Sequence, residues 1–194
     1  MDKADTRKRQ FLTISTSFVA GVGVATAAIP FVQSWSPSAR ARATGAPVVI
    51  DVSKLLQGEL LTVQWQGKPV WVMRRTSDNI ANLEDPAHQT QLRDADSLIN
   101  QQPEYAKNTL RSLRPEIFVA VALCTHLGCI PNLQREGTAE TNHSRFFCAC
   151  HGSIFDLAGR VVLNVPASSN LIVPPHRYLS ANILEIGVDN NTVS

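Results

Sequence analysis

Two six-residue boxes constrain this chain more than anything else in it. Cys124-Thr125-His126-Leu127-Gly128-Cys129 is followed, after residues 130–147, by Cys148-Ala149-Cys150-His151-Gly152-Ser153. All four cysteines and two of the five histidines lie in them. Thiolate and imidazole at C-x-H and C-x-x-H spacing make up a four-ligand metal site, which leaves Cys129 and Cys150 over. A fold that uses this site has to bring both boxes to one point.

Three readings fit the donors. Zinc held by two thiolates and two imidazoles is the commoner use of such spacing, but it gives the remaining cysteine pair no role. A pure disulfide framework suits four cysteines in an exported protein, but it gives His126 and His151 none. The third reading is a 2Fe-2S cluster with two thiolates on one iron and two imidazoles on the other. Both boxes resemble those of the Rieske iron-sulfur proteins, C-T-H-L-G-C and C-x-C-H-G-S, the two extra cysteines included. The resemblance covers nearly the whole chain and is closest to the Rieske subunits of bacterial cytochrome bc complexes, the ubiquinol-cytochrome c reductases. Small Rieske ferredoxins and ring-hydroxylating dioxygenases lack the paired extra cysteines. A dioxygenase would also need a catalytic domain for which this chain has no room.

The resemblance implies that Cys124 and Cys148 ligate the inner iron and His126 and His151 the outer one. It implies a Cys129–Cys150 disulfide between the loops and a Ser153 hydroxyl donated to a cluster sulfide. Neutral imidazoles in place of two thiolates raise the potential. His151 would then present its outer ring nitrogen to ubiquinol, taking up a proton as the cluster takes an electron. Leu127 would contribute to the apolar docking surface on cytochrome b, and a moving head would deliver the electron to a c-type cytochrome. The activity implied is that of a quinol-cytochrome c oxidoreductase, within a complex expected to be dimeric. The alternative from another class is a membrane-tethered zinc or disulfide-stabilised binding module without a redox role. Three positions depart from the family pattern. Ala149 stands where Pro is usual, Phe155 where high-potential members carry Tyr, and Ser168 where the loop Val165-Pro166-Ala167-Ser168 usually has a second Pro.

The formal charge of +2 divides unevenly. Residues 1–46 hold six Lys/Arg against two Asp/Glu, whereas residues 47–194 hold twelve against fourteen. The larger part is mildly acidic with no basic run, which argues against a nucleic-acid partner. Residues 11–39 contain no Asp, Glu, Lys or Arg, a run longer than the roughly 20 residues that cross a bilayer. We read residues 1–10 as a cytoplasmic N-terminus and 11–33 as a transmembrane anchor kept uncleaved, although Ala-x-Ala spacings at 39–43 also suit a cleaved signal. Thr6-Arg7-Lys8-Arg9-Gln10-Phe11-Leu12 resembles a twin-arginine signal with Lys8 at the first arginine position. Lys3, Arg7, Lys8 and Arg9 outnumber Arg40 and Arg42 across the span. This places the N-terminus in the cytoplasm and the rest in the periplasm of a bacterial inner membrane, where a disulfide persists. Residues 34–46, rich in Ala, Ser and Gly, read as a hinge linker.

From residue 47 to 194 the pattern is all-β, expected as a Rieske-type head of antiparallel sheets with a small cluster-binding subdomain. β-Branched runs at 48–52, 60–65, 70–74, 117–123, 161–163 and 183–188 read as strands, and Gln66-Gly67-Lys68 as a hairpin turn. Residues 94–112 are expected to form a helix broken near Pro103. Residues 136–144 read as a polar surface loop. His88, His143 and His176 read as solvated histidines that ligate nothing.

Overall fold

The computed structural model describes residues 3–38, 45–135 and 143–189. The chain divides into two compact units, residues 1–43 and 44–194. In the first, α1 (Lys3–Ser34) is a continuous helix that runs through Pro30. An 18-residue stretch within Asp5–Ser34 reaches a mean hydropathy of 1.7, and the helix is long and apolar enough to cross a membrane. Thr13, Thr16 and Thr26 donate their hydroxyls to the carbonyls of Arg9, Leu12 and Val22, at 2.8–2.9 Å. Bonded back to the helix in this way, these three hydroxyls need no water. The helix begins eight residues before the expected span, because the charged N-terminal residues continue its first turns. Of the expected hinge at 34–46, residues 39–44 lie outside the described residues.

The second unit is built from three three-stranded antiparallel sheets. Strands β2 (Leu60–Trp65), β3 (Lys68–Arg74) and β4 (Ile117–Val121) form the central one. Gln66 and Gly67 join β2 to β3 with φ of 50° and 72°, the left-handed pair that a tight hairpin requires. β3 and β4 are buried on both sides, and their alternation sends residues to two cores. Val70, Val72, Ile117, Val119 and Val121 meet Ile50, Leu184 and Ile186 in one core. Those partners belong to the sheet of β1 (Val48–Asp51), β8 (His176–Tyr178) and β9 (Ile183–Ile186), with β9 in the middle. Trp71, Met73, Phe118 and Ala120 point the other way, into a core shared with Phe146, Phe155, Cys124 and Cys148. Trp71 stacks on Phe146 with centroids 4.5 Å apart. The third sheet comprises β5 (Asn132–Gln134), β6 (Arg145–Cys148) and β7 (Ser153–Phe155). This is the small subdomain expected to carry the site.

Two short helices follow β3, and the strand pattern gave no warning of them. α2 (Ser77–Glu84) opens on a capping box in which Thr76 Oγ1 accepts from the Asn79 amide and Asn79 Oδ1 from the Thr76 amide. α3 (Pro86–Gln89) is capped by Asp85, which accepts from the Ala87 amide at 2.8 Å. The helix expected over residues 94–112 does not form. Only a 3-10 turn, Glu104–Ala106, interrupts that stretch. Side chains there bond to local backbone and outcompete the helix: Asp94 accepts from the Leu98 and Ile99 amides, and Asn108 from the Leu110 amide. Ser97 and Arg111 have positive φ. The strand expected at 161–163 is reduced to isolated bridges from Val161 to Phe155 and from Val162 to Leu92.

Two histidines read as solvated are not. His176 is 1% exposed, and its Nδ1 lies 2.8 Å from the Pro174 carbonyl. His88 Nε2 lies 3.1 Å from Asp156 Oδ2. The partner of His88 lies 68 residues along the chain, that of His176 two residues before it. His143 is exposed, as expected, while most of the loop before it, residues 136–142, lies outside the described residues.

Candidate metal centre

Each box folds into the same tight loop. The Gly128 amide donates to the Cys124 carbonyl and the Gly152 amide to the Cys148 carbonyl, both at 2.9 Å. The glycines sit at φ of 80° and 79°, a conformation that costs a residue with a Cβ about 1–2 kcal/mol. The Cys124 amide donates to the Cys129 carbonyl at 2.7 Å, closing the first loop beyond β4. In the second box, Cys148 and Ser153 are cross-strand partners of β6 and β7, so residues 149–152 form the hairpin loop.

Cys129 and Cys150 form a disulfide that joins the two loops. Its sulfurs and that of Cys148 lie within 4.8 Å of one another. Cys124 and Cys148 are free and buried. His126 and His151 meet edge to face with ring centroids 4.8 Å apart. His151 is exposed and His126 partly buried. Leu127, 70% exposed, follows His126 in the first loop.

The donor set fits a cationic cofactor. His126 Nδ1 is shut off from solvent and has no hydrogen-bond partner, an orphan whose lone pair suits a metal. Burial, followed by a hydrogen bond with the Cys124 thiol, pushes Cys148 above the ordinary thiol range. Two adjacent buried thiols do not ionise together unless a cation takes up their charge. Cys124 and Cys148 therefore lie inside while the histidines close the solvent side.

Around the loops lies a support that the sequence assigned only in part. Ser153, fully buried, accepts from the Ala167 amide at 3.0 Å and so keeps its hydroxyl proton to donate. Thr125 Oγ1 donates to the Ser169 carbonyl at 2.5 Å. Both boxes are thus tied to the segment at 165–169. Thr125 went unassigned in the sequence because a threonine between two ligand positions carries no pattern of its own. The Phe155 ring is fully buried in the core that contains Cys124 and Cys148.

An antiparallel β-domain carrying two such cysteine–histidine loops defines the Rieske class. A family model described as "Rieske [2Fe-2S] domain" matches residues 46–176, and one described as "Ubiquitinol-cytochrome C reductase Fe-S subunit TAT signal" matches residues 1–38. The ubiquinol-cytochrome c reductase iron-sulfur subunit of Allochromatium vinosum is 48% identical over 189 residues, which cover 95% of this chain and 90% of that one. The subunit of the same name from Blastochloris viridis is 38% identical over 186 residues, 96% of each. Among solved structures, a chain of "Hyperthermophilic respiratory Complex III" aligns over 89% of this chain and 98% of its own, with a TM-score of 0.50 and 26% identity. The chain belongs to the Rieske family and, within it, to the iron-sulfur subunits of ubiquinol-cytochrome c reductase.

Proposed function

We propose that this chain accepts one electron, together with a proton, from ubiquinol and passes the electron to a c-type cytochrome of its complex. The observation that carries this reading is the His126–His151 pair at an exposed tip above two enclosed thiols. Cys124 and Cys148 would hold the inner iron, and His126 and His151 the outer one. When bound, a 2Fe-2S cluster so ligated supplies a one-electron couple of raised potential. His151, exposed, presents its outer ring nitrogen to the quinol and takes the proton there. Leu127 supplies apolar contact with cytochrome b. The disulfide fixes the spacing of the two loops, and Ser153 donates to the sulfur cage.

In the same reading residues 1–10 are cytoplasmic, 11–33 cross the bacterial inner membrane, 34–46 are a hinge, and 47–194 form a periplasmic head in a dimeric complex. The excess of Lys3, Arg7, Lys8 and Arg9 at the N-terminal end of the span supports that orientation. Iron content and low-temperature EPR of the reduced protein test the function. Two irons per chain and a paramagnetic reduced state are expected. One zinc per chain in a colourless, EPR-silent sample would leave the zinc-module reading in its place.

Phe155→Tyr is expected to raise the reduction potential. A hydroxyl donor to the sulfur of Cys124 favours the state in which that ligand is more negative. One hydrogen bond of roughly 1 kcal/mol, at about 59 mV per tenfold for a one-electron couple, gives a rise of roughly 40 mV. Redox titration of the full chain checks it. A lower melting temperature with an unshifted potential would show a hydroxyl buried without a partner, and a ring that points away from the ligand.

A further inference from the structure

Among the described residues, the buried charged side chains are Arg75, Arg111, Arg160 and Asp156. Three cations are thus enclosed with one carboxylate. Arg160 takes it, with Nε 2.7 Å from Asp156 Oδ2. Arg111, 0% exposed, is held by neutral oxygens only. Its Nη1 donates to the Ala158 and Gly159 carbonyls at 3.1 and 3.3 Å, and its Nη2 to Gln102 Oε1 and the Leu171 carbonyl at 2.9 and 2.8 Å. Its Nε has no partner. Arg75, 1% exposed, is likewise held by the carbonyls of Pro115, Leu110 and Leu157 and by Ser112 Oγ.

An enclosed cation without a counterion costs stability, and shorter apolar residues could have filled the space. Burial pushes Arg75 and Arg111 down to about 10, so both stay charged at neutral pH. They clasp residues 157–159, the turn that continues β7 out of the second box. Leu157, Ala158 and Leu171 share one uninterrupted apolar core with Cys124 and Cys148. Charge placed in such a medium is screened much less by water and salt than at the surface.

We propose that Arg111 and Arg75 form a buried cationic field that raises the reduction potential of the cluster held by the two boxes. Reduction of a cluster held by Cys124, Cys148, His126 and His151 would add one negative charge there. Fixed positive charge across an apolar core favours that state over the oxidised one. In this chain the field offsets the hydroxyl donor that Phe155 lacks. The inference rests on the cluster reading of the site, which iron content and the reduced-state EPR signal decide beforehand and separately.

The test is an EPR-monitored redox titration of the cluster-loaded full chain in detergent. Arg111→Gln, which removes the charge, is expected to shift the potential downward, while Arg111→Lys keeps the charge and stays near the unmodified value. Gln102→Glu sets a carboxylate against Arg111 Nη2 and is also expected to lower the potential. Gln102→Met loses the same hydrogen bond but leaves the cation, and is expected to melt lower with its potential unmoved. A purely structural role for Arg111 would move melting temperatures and not potentials. Fully loaded Arg111→Gln protein with an unshifted potential, or equal shifts in the Gln and Lys variants, would overturn the proposal. Should Arg111→Gln fail to fold, the Gln102 pair decides it: equal potentials in Gln102→Glu and Gln102→Met reject the field.

Discussion

Replacing Asp156 by Ala is expected to destabilise the head by roughly 3–5 kcal/mol, the range for breaking a buried ion pair from one side. The carboxylate is 3% exposed and receives four donors. Oδ1 accepts from the Ala158 and Arg160 amides at 2.9 and 2.8 Å, and Oδ2 from Arg160 Nε and His88 Nε2 at 2.7 and 3.1 Å. Removing it strands a fully buried guanidinium whose Nη2 is already committed to the Leu83 carbonyl of α2. Burial by itself would raise the Asp156 carboxyl, but the Arg160 charge and the His88 hydrogen bond outweigh it and hold the group below the ordinary carboxylate range. A carboxyl depressed in the folded state adds stability above its unfolded value of about 3.9. That stability is lost as pH falls through the folded value. Denaturant unfolding of Asp156→Ala and the unmodified protein at neutral pH and below pH 4 checks both parts. The difference between the two proteins should narrow in acid. A neutral-pH loss under about 1 kcal/mol would mean that Arg160 finds other partners.

The second large effect is expected at the disulfide. Cys129 and Cys150 are 21 residues apart, and closing a loop of that size constrains the unfolded chain by roughly 3 kcal/mol. The bridge also fixes the separation of two loops that share no backbone hydrogen bond with each other among those of the boxes described above. The double variant Cys129→Ser, Cys150→Ser is therefore expected to melt lower and to retain less iron, measured as iron per chain after purification. Full iron content with an unchanged melting temperature would remove the bracing role. Thr125 and Ser153 would then hold the loops by themselves, through the segment at 165–169.

Some of this molecule could be read from its sequence and some could not, for physical reasons. The two boxes were legible because thiols and imidazoles were crowded into twelve positions. The strands β2 and β3 were legible because long β-branched runs flank Gln66-Gly67. β4 was legible because both of its faces are buried, which makes the run wholly apolar. β5, β6 and β7 were not. They are three or four residues long and mix Asn, Gln, Arg and Ser with aromatics, so their pairing depends on the loops that they carry. The capping box of Thr76 and Asn79 and the Asp85-Pro86 start did signal α2 and α3, but the helices are too short for a periodic stripe to draw attention to them. Residues 94–112 misled for the opposite reason. Their loose helical spacing is overridden by side-chain bonds to local backbone and by Arg111, whose carbonyl partners lie 47–60 residues away. His88 finds its carboxylate 68 residues on, a separation at which no local pattern reveals burial. Comparable distances hide the burial of Arg75, whose partners lie 35–82 residues away.

The strand nearest the expected tether has a mechanical consequence. β1, the first strand of the head, is registered over four residue pairs with β9, near the other end of the chain. The Val52 amide extends that contact to the Asn182 carbonyl at 2.8 Å. Tension arriving along the chain at residue 48 therefore meets this seam before any other strand pair of the head. The sheet that takes the load is not the one that holds the second box, and the two pack into different cores. Force on the head's first strand would thus enter at the β1–β9 seam, away from the sheet that carries Cys148 and His151.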